Sequence, residues 1–384
     1  MSKLISVKNG IDNISSVNSL LRNRKLGLIT NASGVNKKGD HIANILADKF
    51  ELSVLFSPEH GIRTNLQDGH WDGERVNDTD TGADIISLKS SADIVGCALS
   101  GIDTVVYDIQ DVGARFYTYI YNLFDMMKLC AEKGKELIVL DRINPIGGTA
   151  IEGVLLDTKY ASDVGKFAIP TRYGLTVGEL AKYLNEEEKI GCKIHIVPVS
   201  GWKRKMYADE TDLLWVNPSP NIPSVDTAIN YTGTCIFEAT NISEGRGTTK
   251  PFSLIGAPFI DSARLTASMR GLKLDGVVFR RAYFTPKFGK YEGELCEGVE
   301  LHITDRDAYD PFETSLELYR ELSYYREFRA REQRECELFG NDRLCGEFID
   351  TDAIISGSGT SRVNGAAFSG GLQPSGRSAS CMTR

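Results

Sequence analysis

The sequence predicts an α/β fold: a Rossmann-like, doubly wound, mainly parallel sheet followed by a smaller α+β second unit. Three observations carry that reading. The strand-like runs of the first half are continuous apolar stretches rather than alternating ones, as in strands covered on both faces. Helical patterns lie between them, the alternation that builds parallel βαβ units. The strand ends carry dense polar clusters, at the edge where open α/β sheets bind ligands.

The elements follow in order. Strand-like runs span 26–30, 52–56, 104–109, 137–141 and 194–199, with helical patterns at 41–49, 122–133 and 177–188 between them. In the second helix Leu123, Met126, Met127 and Cys130 recur at i, i+3, i+4 and i+7, one apolar stripe meant for packing. From about Asn221 Gly and Thr become frequent and helical periodicity fades. Short strands are expected at 277–284 and 299–304, closed by a single helix from Phe312 to about Arg334. The segment 356–384 is Gly/Ser-rich with few large apolar residues and reads as disordered. The expected organisation is a Rossmann-like catalytic domain over 1–220, an auxiliary domain over 221–350 that completes a cleft, and a tail over 351–384.

A chain of 384 residues exceeds what one core usually serves, which also favours two domains. The net charge of -8 disfavours nucleic acid or an anionic membrane as partner and leaves a small-molecule substrate. No apolar stretch reaches membrane-span length and no signal peptide is visible, so a cytoplasmic place is expected. Eight cysteines are scattered without a C-x-x-C pair, which reads as reduced buried thiols rather than a disulfide framework or zinc site. Five dispersed histidines give no i, i+4 pair, so no metal is expected. No G-x-G-x-x-G opens the first helix and Gly245-Arg246-Gly247-Thr248-Thr249-Lys250 is not a P-loop, so no nucleotide cofactor is expected.

The chemistry-bearing residues cluster at strand ends. Ser57-Pro58-Glu59-His60-Gly61 sets an acid and an imidazole in a turn at the carboxyl end of a strand. Alone, it is as well explained by a helix cap as by a catalyst. Residues 108–119 place Asp108, Gln110, Asp111, Arg115, Tyr117 and Tyr119 within twelve positions; aromatic faces with amides and carboxylates suit a sugar. For Arg115 a plain ion pair with Asp108 or Asp111 is the safer reading. Asp141-Arg142-Ile143-Asn144-Pro145 repeats the pattern, with Asp141 either a ligand group or a brace for Arg142. Asn217-Pro218-Ser219-Pro220-Asn221-Ile222-Pro223 is a loop stiffened by three prolines that projects two amides. In residues 238–251, Glu238 and Glu244 stand six apart, with glycines around Arg246 that permit close approach of backbone to a ligand.

Together these segments resemble the NamZ-type exo-β-N-acetylmuramidases, formerly a domain of unknown function (DUF1343). The matching residues are Gly27 to Asn31 with Gly34-Val35, Leu55 to Arg63, Asp108 to Tyr119, Leu140 to Pro145, Val216 to Pro223, Gly233 to Pro251 and Gly293 to Val299. The match runs in order from about residue 25 to 312. It implies release of N-acetylmuramic acid from the non-reducing ends of peptidoglycan fragments, as in cell-wall turnover. It also implies a Rossmann-like domain, a smaller second domain and a cleft between them. Two departures stand out: Phe339 to Leu344 only approximates the family's Phe-x-x-Leu-type motif before the Gly/Ser tail, and many relatives carry export signals.

Glycoside hydrolysis needs a protonated acid at the leaving oxygen and a second group at the anomeric carbon. Glu59 is the expected acid, tuned by His60. Glu238, Glu244, Asp111 or the substrate's own 2-acetamido group supplies the second function. Substrate contacts are expected from Asn31, Asp111, Arg115, Tyr117, Tyr119, Asp141, Arg142, Asn144, Asn217, Ser219, Asn221, Asn241 and Arg246, with Arg246 or Arg115 holding the lactyl carboxylate. The rival readings are a muropeptide amidase or esterase, disfavoured because no G-x-S-x-G elbow is present, and a non-catalytic muropeptide-binding protein.

Overall fold

The computed structural model describes residues 4–67 and 76–342; the expected tail at 351–384 lies outside them. The first sheet is formed by β1 (Lys25–Thr30), β2 (Glu51–Ser57), β3 (Val76–Asn77), β4 (Asp84–Ser87), β5 (Thr104–Asp108), β6 (Glu136–Leu140) and β7 (Lys193–Val197). Its order is β3-β4-β2-β1-β5-β6-β7, and every pairing is parallel except β3 with β4. The helices are α1 (Asn18–Leu21), α2 (Ile42–Lys49), α3 (Ala92–Ser100), α4 (Tyr119–Lys133) and α5 (Val177–Glu187) in this part of the chain. They are followed by α6 (Val225–Thr234), α7 (Ser262–Gly271), α8 (Pro311–Ser323) and α9 (Glu332–Phe339).

The sheet is doubly wound because successive strand residues feed different cores. Ile29, Phe56, Val105, Tyr107 and Val139 pack with the α4 stripe of Leu123, Met126, Met127 and Cys130. Their neighbours Leu28, Leu55, Val106, Ile138 and Leu140 pack with Ile42 and Leu46 of α2. A strand buried on both faces has no polar residue to alternate with, which is why these runs are apolar throughout. Outward from the middle, β1 leads by way of α2 to β2 on one side, whereas β5 leads by way of α4 to β6 on the other. The connections therefore diverge between β1 and β5, which pair from Leu26↔Thr104 to Thr30↔Asp108.

The second sheet is antiparallel, β8 (Leu254–Ala257), β10 (Cys296–Ile303) and β9 (Val277–Phe284), in that order. Its apolar residues Ile255, Phe279, Val299 and Leu301 join the same buried cluster as Val105 and Tyr107 of the first sheet, so one core runs through both.

Three expectations are corrected. Helical structure does not fade after Asn221: α6 lies there, buried at every position but Asp226. A helix enclosed on all sides has no polar stripe and shows no amphipathic period. The closing helix is not single. α8 stops at Ser323 and the chain leaves it to pair Ala330 with Thr240 before α9 begins, so residues spent on that bridge cannot stay helical. The thiols are not all reduced: Cys97, Cys130, Cys192, Cys235 and Cys296 are free, but Cys336 on α9 is disulfide-bonded. Scattered spacing hid it, because bridge geometry depends on Cα approach in space rather than on sequence pattern.

Candidate active site

β2 ends at Ser57 and the chain turns at once, with the Gly61 N–H donating to the Pro58 carbonyl at 3.2 Å. His60 occupies the left-handed region at φ 69°, as does Gly61 at φ 80°. A non-glycine residue there costs of order 1 kcal/mol and is held by its surroundings. Here the His60 Nδ1–H donates to the Leu66 carbonyl at 2.8 Å. A carbonyl oxygen can only accept, so Nδ1 carries a proton and the ring orientation is fixed by that bond.

Glu59 is thereby set on the floor of a cavity of about 180 Å³, beyond the carboxyl edge of the first sheet. Its side chain keeps 22% of its exposure. Lys89, just past β4, donates to Oε1 at 2.9 Å, and the Thr118 hydroxyl donates to Oε2 at 3.0 Å. Burial is the largest single influence on this carboxyl and pushes its pKa up. The Lys89 hydrogen bond and charge, with His60 and Thr118, together outweigh burial and hold it below the ordinary glutamate value.

The walls are aromatic. Tyr117 and Tyr119 meet edge-on with centroids 4.8 Å apart, and Tyr231 of α6 packs against Tyr117 at 5.9 Å and Phe252 at 4.7 Å. Phe116 completes this apolar side. The Tyr117 hydroxyl is buried without a well-formed hydrogen bond, with Ser219 and Tyr119 as its polar neighbours. The Tyr119 hydroxyl donates to the Pro218 carbonyl at 2.8 Å and so fixes the proline loop, whose Ser219, Asn221 and Ile222 face the same cavity.

Glu238, Arg246 and Arg334 line the same cavity. Arg246 bridges Glu238 at 2.7 Å and Glu244 at 3.3 Å, and its guanidinium lies 5.0 Å from the centre of the Phe252 ring. Arg334, from α9, pairs with Asp163 at 2.7 Å and Glu337 at 2.9 Å. Among the described residues no cluster of His, Cys, Asp or Glu is placed to hold a metal ion, and no helix is long and apolar enough to cross a membrane.

Of the residues singled out in the sequence, the cavity brings together Glu59, His60, Tyr117, Tyr119, Ser219, Asn221, Glu238 and Arg246. Asn31 stands behind it and donates to the Pro218 carbonyl at 2.8 Å. Glu244 is a brace rather than a wall, 5% exposed. Burial opposes its charge most, but Lys290 at 2.9 Å and Arg246 prevail and keep its pKa low.

The others are placed elsewhere by their own bonds. Asp111 accepts from the Gly113 N–H at 2.7 Å and from the Tyr173 hydroxyl, and burial lifts its pKa to about 6. Arg115 pairs with neither Asp108 nor Asp111: fully buried, it donates to the Leu338 carbonyl at 2.8 Å and pins the end of α9. The partner of Asp108 is Arg142, through Nε at 2.5 Å. Asp141 reaches the start of α5, accepting from the Gly178 N–H at 2.7 Å and the Thr176 hydroxyl at 2.9 Å. Asn144 donates to the Leu175 carbonyl at 3.0 Å, and Asn241 to the Glu327 carbonyl at 2.8 Å. Asn217 is exposed on the proline loop.

Sequence reasoning passed over Lys89, Thr118, Tyr231, Phe252 and Arg334. Thr118 lay inside a marked segment, but Lys89 and Arg334 come from stretches whose charges look like ordinary solvated surface.

Family profiles decide the relationship. The profile described as exo-beta-N-acetylmuramidase NamZ, N-terminal, matches residues 26–226, and that of the NamZ C-terminal part matches 229–363. The chain belongs to the NamZ family. It is 44% identical over 329 residues to the peptidoglycan beta-N-acetylmuramidase NamZ of Bacillus subtilis (strain 168), covering 84% of this chain and 78% of that one. Two crystal structures of DUF1343 family proteins from Bacteroides fragilis NCTC 9343 are similar in fold. One aligns with a TM-score of 0.81 at 34% identity, covering 89% of this chain and 91% of that one. The other aligns with a TM-score of 0.71 at 30% identity over 88% and 89%. Sheet order, second antiparallel sheet and cavity are thus described within a NamZ-family chain.

Proposed function

We propose that this chain is an exo-β-N-acetylmuramidase, a glycosidase that frees N-acetylmuramic acid from the non-reducing ends of peptidoglycan fragments, and that the Glu59–Glu238 cavity performs the reaction. One observation carries the site assignment: two carboxylates from different parts of the chain converge on one aromatic-walled cavity that also holds two guanidinium groups. Carboxylates flanking a sugar are the common equipment of glycosidases. Aromatic rings take the apolar face of the ring, and guanidinium forks suit a carboxylate.

Glu59 acts as general acid. The Lys89 contact favours its ionised form. A sugar seated over it removes water, and its leaving oxygen takes the place of the ammonium. Burial, already the largest influence, then prevails and the carboxyl holds a proton for the departing oxygen. Glu238, held in place by Arg246, offers negative charge to the positive anomeric carbon of the transition state. A water then adds to that carbon and gives its proton to the Glu59 carboxylate, so the C–O bond broken is matched by the C–O bond formed and the acid is restored.

Arg334 takes the lactyl carboxylate. Its present partner Asp163 is 70% exposed, so exchanging that contact for a substrate carboxylate costs little. Residues 1–220 supply the catalytic floor in this reading, and the following unit supplies Tyr231, Glu238, Arg246 and Arg334 as the roof. A cytoplasmic place of action accompanies the proposal on the strength of the five free thiols among the described residues, with the bridged Cys336 pulling the other way.

The test is hydrolysis of a chromogenic β-N-acetylmuramide against the matching β-N-acetylglucosaminide. Preferential turnover of the muramide supports the reading. Equal turnover removes the carboxylate clamp, and no turnover of either leaves a binding protein.

A further inference from the structure

A second cavity, of about 240 Å³, lies between the ends of β1 and β5, where the sheet's connections diverge. That crevice is where open α/β sheets characteristically take ligands, and the catalytic cavity does not occupy it. Ser33 follows β1, Gln110 follows β5 and Arg142 follows β6, and all three line it with Trp215.

The donors there are incompletely used. Arg142 is 4% exposed; its Nε is given to Asp108 and its Nη2 to the Val35 carbonyl at 3.2 Å. Its Nη1 has no partner among the described residues. The Trp215 indole N–H is buried without an acceptor. A buried donor left unmatched costs about 1–3 kcal/mol, so a site that keeps one beside a guanidinium is built to meet an acceptor. The N-terminus of α6, at Ser224 and Val225, opens on the same space and adds its positive end. The acidic rim residue Asp209 is already neutralised by two 2.7 Å bonds from Arg306. Asn9 also lines the space, its Oδ1 accepting from the Ile143 N–H, and Ile143, Leu213 and Val216 supply an apolar wall.

We propose that this second cavity binds a small carboxylate whose neighbouring carbon carries a methyl-sized apolar arm, with Arg142 and Trp215 donating to the carboxylate and Ile143, Leu213 and Val216 receiving the arm. The lactyl group of a muramic acid and the alanyl end of a stem peptide share that chemistry. The site lies against the catalytic cavity. Trp215, Val216 and Pro223 face it from one side of the proline loop, whereas Ser219, Asn221 and Ile222 face Glu59 from the other. Ser33 also donates to Asn31 at 2.6 Å, which holds the same Pro218 carbonyl that Tyr119 does.

The full chain labelled with 15N-tryptophan gives indole N–H signals, and Trp215→Phe identifies that of Trp215. Titration with N-acetyl-D-alanine and with N-acetylmuramic acid should move this signal saturably, while neutral N-acetylglucosamine should not. A response to one acid alone identifies the source. Arg142→Lys should weaken the titration at least tenfold, since a single ammonium cannot hold Asp108 and the Val35 carbonyl and still donate to the acid as Nη1 would. If that variant does not fold because Asp108 loses its partner, calorimetry on Trp215→Phe should show N-acetyl-D-alanine binding weakened several-fold. A Trp215 signal unmoved by both acids, moved equally by the neutral sugar, or wild-type affinity in Trp215→Phe overturns the proposal. The catalytic reading stands or falls separately, on turnover.

Discussion

Lys89 sets its ammonium 2.9 Å from Oε1 of Glu59, across the gap between the ends of β4 and β2. This contact is the largest of the influences that lower the pKa of a carboxyl that burial raises. The sign of the consequence follows from the direction of the shift. With Lys89 replaced by Met, the Glu59 pKa in the free enzyme rises. If the protonated form is the active one, the basic limb of the kcat/KM profile moves to higher pH. If the ionised form were active, the acidic limb would move instead. A pH–rate profile of Lys89→Met on the muramide distinguishes the two.

Arg334→Leu should raise KM for the muramide by roughly tenfold or more and leave the weak glucosaminide activity where it was, because only the muramide offers a carboxylate to a guanidinium. Steady-state kinetics on both sugars checks this. An equal loss on both would make Arg334 a packing residue of α9.

Gly233 lies in α6 where it crosses α8, and a Cβ there would sit 1.9 Å from the Pro311 carbonyl oxygen. Backbone cannot yield as a flexible side chain does. Gly233→Ala should therefore destabilise by about 1–3 kcal/mol, read as a lower denaturation midpoint. Turnover per folded molecule should change less than stability, since Tyr231 alone of α6 lines the cavity.

Asp141 gives a pH dependence of stability rather than of activity. Burial lifts its pKa to about 6, against hydrogen bonds from Gly178 and Thr176 that lower it. A raised carboxyl binds its proton more tightly folded than unfolded. Its favourable contribution is therefore full below about pH 4 and is lost as pH rises through about 6. Asp141→Asn should flatten the stability curve over that window, as measured by denaturant unfolding at successive pH values.

Much of the fold was legible because parallel strands buried on both faces announce themselves as apolar runs: the expected 277–284 strand is β9 as observed, and 104–109 differs from β5 by one residue. β4 was passed over because four residues carry too little pattern, and α3 was passed over although it is longer than the α2 that was read. α6 was missed because enclosure erases periodicity. At the site, Glu59, Tyr117, Ser219 and Glu238 were legible from polarity at strand ends and loops. The same polarity misdirected the reading at Asp141, Arg115 and Asn144, since a strand end must also satisfy helix starts and loop carbonyls. Lys89 and Arg334 had no local signal, because only the folded chain brings them to the cavity.

The most direct measurement is Glu59→Gln on a natural muramic-acid-terminated disaccharide beside the nitrophenyl muramide. Gln preserves size and polarity but cannot donate the proton. On the disaccharide kcat should fall by roughly 10²–10⁴, the usual worth of a positioned acid, with KM nearly unchanged. On the nitrophenyl substrate, whose leaving group needs little protonation, the loss should be smaller. Near-normal turnover of the disaccharide would contradict the account, and an equal loss on both substrates would make Glu59 something other than the acid.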